Sequence, residues 1–120
     1  MRTITSPITI DEKRITIRST DGTVWMTQHE IARAFGVFVS AIGANIRSIF
    51  KNEVLREEKV SRTKTHEDGS FTILYNLEMI TALAFRLKSW QADKFRRWIV
   101  EQVVNPIVVW KIPATDSMLN

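Results

Sequence analysis

Between Asn76 and Ser89 the chain places apolar side chains on nearly every side of a helix: Leu77, Met79, Ile80, Ala82, Leu83, Ala84, Phe85 and Leu87. Asn76 suits the N-cap, so a helix is predicted from Leu77 to about Lys88. A helix without a polar stripe has no side to turn to water and belongs at the centre of a packed domain. The rest of the chain has to supply its cover. At 120 residues there is length for one such domain and not two. The hydrophobic share of 44% and charged share of 25% exclude a mostly disordered chain. A single domain, 1–120, is expected, with its core at about 14–104 and a tail at 105–120.

The covering elements follow from local rules. Ile8, Ile10, Ile15 and Ile17 alternate with Thr and charged residues, a strand pattern. Asp21-Gly22 then lies between two β-prone runs, which predicts an N-terminal β-hairpin at about 14–26. Thr27 and Glu30 form a capping box for a short helix at about 28–35, and Gly36 ends it. Ile42, Ile46, Ile49 and Phe50 lie on one face of a second helix, from Val39 or Ser40 to Lys51. One more short turn is expected within 51–59. Residues 60–76 read as a second hairpin around Glu67-Asp68-Gly69-Ser70, with Phe71, Ile73 and Tyr75 on one face of its return strand. Ser89 caps a last helix, Trp90 to about Val104, which stops before Asn105-Pro106. The fold class is α+β. The architecture expected is a winged-helix-like helix-turn-helix: an N-terminal hairpin, the helix pair, a second hairpin as wing and two C-terminal helices.

The most informative constellation is Gln28-x-x-x-Ala32-x-x-x-Gly36-Val37 with Ile42 beyond. Ala32 is small where a second helix crosses close over it, and Gly36 makes the turn. Ile31, Phe35, Val37, Ile42 and Ile46 form the wedge of core that sets the crossing angle. Such a corner serves DNA binding, contact with a protein, or nothing beyond packing. In the second hairpin, Arg62, Lys64 and His66 share one strand face, while Ser61, Thr63 and Thr65 share the other. Neither face is apolar, so the strand is expected to be exposed. It reads as a wing touching phosphates, or as a solvated edge strand whose charges oppose aggregation.

Further motifs carry a family resemblance. They are Val24-Trp25-Met26-Thr27-Gln28, Ile31-Ala32-x-x-Phe35-Gly36-Val37, Ile42 with Asn45-Ile46, Ile49-Phe50, Asp68-Gly69, Tyr75-Asn76-Leu77-Glu78-Met79-Ile80 and Phe95-Arg96-x-Trp98. In this order, over about residues 15–104, the chain resembles the RhuM-type virulence-protein family, related to the phage-like Bro-N/KilA-N group. The resemblance implies a bacterial, virulence- or mobile-element-associated protein and a DNA-binding domain. Members of that family continue well beyond this length, which implies an N-terminal module, standing alone or cut from a longer chain. The chain departs from the family at the start of the second helix. Where the family usually has Ser, Arg and Thr, it has Phe38, Val39, Ser40 and Ala41.

That departure bears on base recognition, which needs donors and acceptors at the groove-facing positions. Gly43, Ala44 and Arg47 are expected to face the groove next. Ser40 and Arg47 qualify as base-reading groups, with Asn45 a third. Gln28 and the start of the second helix are expected to dock the module on duplex DNA, and Lys51, Arg62 and Lys64 to hold phosphates. The alternative is a protein-interaction or assembly module that keeps the fold without base readout. Phe38, Val39 and Trp110 are its contact candidates, because an apolar helix tip more often marks a protein contact.

Other chemistry finds little footing. There is no cysteine, so disulfides and thiolate metal sites are excluded. His29 and His66, the two histidines, sit in different elements without metal-ligand spacing, and no metal or cofactor is expected. No nucleophile elbow or phosphate loop occurs among the four glycines, and the chain is not expected to be an enzyme. Trp25 and Trp98 are expected in the core, with Trp90 and Trp110 open. Asp93 with Arg97, and Arg97 with Glu101, have pairing distance on a helix face. No apolar run approaches a membrane span, and Met1 to Ile10 lacks a signal-peptide run, so a cytoplasmic location is the default expectation. The net charge of +4 permits a nucleic-acid partner without requiring one. The tail run Ile107–Ile112 can add a strand or pair with another copy, and a homodimer built partly by it is a further expectation.

Overall fold

Asp11 sets the first turn. One carboxylate oxygen of Asp11 accepts from the amides of Lys13 (2.8 Å) and Arg14 (2.9 Å), and the Asp11 amide donates to the Arg14 carbonyl (3.1 Å). The computed structural model, which describes residues 6–19 and 23–105, therefore pairs β1 (Ile8–Ile10) with β2 (Ile15–Ile17), Ile8 opposite Ile17. The hairpin expected at 14–26 is thereby corrected. β2 turns back on the strand before it, and β3 (Trp25–Met26) pairs instead with β5, Met26 opposite Tyr75. An Asp side chain that binds the turn amides closed the earlier loop, and Ile8 enters the core at 1% exposure, so the core starts before residue 14. Asp21 and Gly22 lie outside the described residues.

Local rules govern the helix pair as the sequence reads. Thr27 and Glu30 make both halves of the capping box at the start of α1 (Gln28–Phe35). Gly36 ends α1 in the left-handed region at φ +66°, and the Val37 amide reaches back to the Ala32 carbonyl (3.0 Å). α2 (Val39–Lys51) follows, then the single turn α3 (Glu57–Val60). β4 (Ser61–Thr65) and β5 (Phe71–Asn76) form the second hairpin, and the three-stranded antiparallel sheet runs in the order β3-β5-β4. Asn76 and Ser89 cap α4 (Leu77–Ala84) and α5 (Trp90–Val104) through side-chain bonds to Met79 and Ala92 amides. The described residues thus form an α+β fold of five helices and two small antiparallel sheets.

α4 is shorter than its apolar pattern suggests. It stops at Ala84, about one turn before Lys88, and Arg96 of α5 takes carbonyls at and just beyond its end. Its guanidinium donates to Ala84 O (2.6 Å) and Leu87 O (2.8 Å). Phe85 is turned out to 56% exposure, while Leu87 folds under. The rest of α4 is central as expected, with Met79, Ile80 and Leu83 buried. Around it Phe35 of α1 meets Phe95 of α5 edge to face at 5.5 Å, and Trp98 packs on Phe95 at 5.7 Å. Trp98 is half-buried against the core, whereas Trp25, expected inside, lies half-buried on the sheet under the Arg62 guanidinium.

Leu83 has no exposed surface. Leu83→Ala should lower unfolding free energy by about 2–5 kcal/mol in chemical denaturation, through the cavity it leaves. A loss below about 1 kcal/mol would place α4 at the periphery and overturn this architecture.

Candidate nucleic-acid interface

α2 divides its residues by the period of the helix. Ile42, Gly43, Ile46 and Ile49 are buried. Ser40, Ala44, Arg47 and Lys51, at i, i+4, i+7 and i+11, form one exposed stripe. At its N-terminal end Phe38 occupies the N-cap without a side-chain bond, and the first turn carries no acidic residue. Phe38 is 83% exposed and Val39 lies beside it on the surface. Gly36, Val37, Phe38 and Ala41 line an open apolar cleft of about 480 Å³.

Three expected members of this surface are placed elsewhere. Gly43 does not face outward. A Cβ there would lie 3.2 Å from Gln28 Oε1 and 3.4 Å from an Arg47 guanidinium nitrogen. The Gln28 amide donates to the Tyr75 hydroxyl at 3.4 Å, so this side chain is wedged between α2 and β5. Asn45 is half-buried on the flank of α2: its amide donates to Ala41 O (2.9 Å) and its oxygen accepts from Arg86 Nε (2.8 Å). Arg86 also donates to Ser48 Oγ (2.7 Å), which fixes an additional cation along α2. Arg86 carries no signal in the sequence, since it sits inside the apolar run and only the fold brings it to α2. Trp110 and Ile107–Ile112, with the homodimer expectation built on them, lie outside the described residues.

The second hairpin carries the other cations. Arg62 lies opposite Leu74 and Lys64 opposite Thr72. Tyr75 is buried toward α1, so strand alternation puts Arg62 and Lys64 on the other, outer face of the sheet. At the tip, His66 Nε2 is 2.6 Å from Thr72 Oγ1, and Gly69 takes φ +92°. The Ser70 hydroxyl and amide both donate to Asp68 Oδ1 (2.6 and 2.9 Å) and hold its carboxyl below the usual aspartate range.

Ion pairing leaves these surfaces alone. Among the described residues, Asp93 takes Arg96 and Arg97, and Glu58 takes Arg56. None of these pairs involves Arg47, Lys51, Arg62, Lys64 or Arg86. The structure thus groups Ser40, Arg47 and Lys51 on one face, and Arg62 with Lys64 on another. Comparison with known proteins finds no family model, no curated protein and no solved structure that matches the chain. Among the described residues no helix is long and apolar enough to cross a membrane, and no three metal-ligating side chains come together.

The Asp68 shift has a definite sign. A carboxylate with a lowered folded pKa adds stability above its unfolded value, and that stability is lost as pH falls through the lower, folded one. In a carbon-detected NMR titration Asp68 should titrate below an unperturbed aspartate, and the amides of 66–70 should loosen only below that midpoint. A midpoint at or above the ordinary value would disprove the turn geometry.

Proposed function

We propose that this chain is a DNA-binding module of winged helix-turn-helix type, with α2 as the helix that enters the major groove. The observation that carries the reading is the exposed stripe of α2, where Arg47 and Lys51 project without an ion-pair partner among the described residues. The tight Gly36 corner before α2 supports it. The hairpin bears on it less directly: β3 precedes the helix pair and is hydrogen-bonded to β5, while Arg62 and Lys64 lie on a face apart from the α2 stripe. The motif resemblance to the RhuM-type family points the same way.

In this reading Ser40 and Arg47 reach base edges, and Lys51, Arg62 and Lys64 hold phosphates. Asn45 and Gln28 are internal supports, engaged by Arg86 and Tyr75. With two base-reading groups, most of the affinity comes from the backbone and varies strongly with salt. The competing reading, a protein-interaction module, is favoured by one feature, the exposed Phe38 and Val39 beside their apolar cleft.

Titration with random-sequence and selected duplexes at two salt concentrations separates the two. Arg47→Ala should reduce the preference for the selected duplex by ~1–3 kcal/mol, and Phe38→Ser should do less. Arg62→Ala should weaken all duplexes about equally and flatten the salt slope by ~0.9 log unit. If the parent binds no duplex above background at low salt the DNA reading fails, and if it binds but Arg47→Ala keeps the parent's preference, base readout by α2 fails. Loss of a partner protein with Phe38→Ser alone would then establish the interaction module.

A further inference from the structure

The outer face of the three-stranded sheet holds a second concavity, of about 340 Å³, lined by Pro7, Arg18, Trp25, Arg62, Lys64 and Leu74 among others. It combines three cations with an aromatic ring, and no carboxylate is among its described lining residues. Cations gathered in one cleft repel one another unless an anion joins them. None of the three takes part in the ion pairs found among the described residues.

Arg62 is also held in a particular pose. Its guanidinium carbon lies 4.3 Å from the Trp25 ring centroid. A guanidinium over an aromatic ring gains cation–π attraction and has its orientation restrained, while its N–H edges remain available as a planar fork. Such a fork matches two oxygens of a phosphate. Lys64 follows two residues along β4, on the same face. Arg18 stands at the open end of the first hairpin, where its backbone amide donates to Pro7 O (2.8 Å) and continues the β1–β2 ladder.

We propose that Arg18, Arg62 and Lys64, with Trp25 as the platform for Arg62, form a binding site for a phosphate ester. The site deepens the DNA reading in one respect, since its natural source would be a backbone phosphodiester. Its recognition chemistry stands without that reading, because a free phosphorylated compound offers the same oxygens. Arg18 and Trp25 thereby acquire roles that strand patterning alone does not suggest.

The test uses the full chain, with NMR titrations of pyrophosphate and of a short duplex at constant ionic strength. Pyrophosphate should shift the Trp25 indole and Arg62 Nε resonances saturably. Arg18→Gln, an exposed change, should weaken that binding severalfold, and Trp25→Leu should weaken it by ~2–5-fold while leaving every charge in place. Trp25→Phe, which keeps a π face, should restore part of the loss and guards against a folding defect. If Arg18→Gln also lowers the salt slope for the duplex by ~0.9, the phosphate source is nucleic acid. If only pyrophosphate binding falls, the source is a free phosphate compound. A parent chain that binds pyrophosphate here but no duplex would sink the DNA reading and keep this one. Absence of saturable shifts at Trp25 and Arg62, or affinity unchanged in Arg18→Gln, would overturn the site.

Discussion

The surfaces of the candidate interface are held in place by the packing of α1 against α2 and α5, and that packing centres on Phe35 and Phe95. The two rings meet edge to face, fully buried, and tie the helix that follows β3 to the last helix described. Phe35 is also the last residue of α1, immediately before Gly36. The corner that aims α2 thus starts from an anchored ring. A side chain at Gly36 would face two obstacles, the left-handed backbone and the Gln91 side chain within 3 Å of its Cβ. The direction of α2 is set by core packing on one side of that corner and backbone conformation on the other.

Signals that act within a few residues are legible in the sequence, and those that depend on distant partners are not. Thr27 with Glu30, Gly36, Asn76 and Ser89 each act on backbone groups a few residues away, and each begins or ends a helix where its chemistry implies. The departures share a different cause. Strand alternation pairs β3 with the strand before it, whereas its partner, β5, is about fifty residues further on. The end of α4 meets Arg96, Gly43 packs on Gln28, and Asn45 is engaged by Arg86. None of these pairings leaves a trace in periodicity. The exposed stripe of α2 was partly legible, since Ser40, Arg47 and Lys51 follow from the helical period once the apolar face is known.

The distribution of charge has a simple origin. Several carboxylates serve the backbone beside them: Asp11 and Asp68 accept turn amides, and Glu30 accepts the Thr27 amide. Asp93 holds two arginines on α5. Acids engaged by turn and cap amides have fewer lone pairs to offer to cations, and Asp93 and Glu58 are the carboxylates that form ion pairs among the described residues. Arg47, Lys51, Arg62 and Lys64 accordingly stay outside the ion pairs found among the described residues.

Gln28 has a mechanical consequence. Its amide touches the Tyr75 hydroxyl of β5 while its oxygen lies over Gly43 of α2, so one side chain spans sheet and helix. Gly43 allows that close approach because it has no side chain. Helix and sheet thereby meet through one side chain, at a point where both are half-buried or buried. The separation of α2 from the sheet at this point thus rests on one amide and one missing side chain.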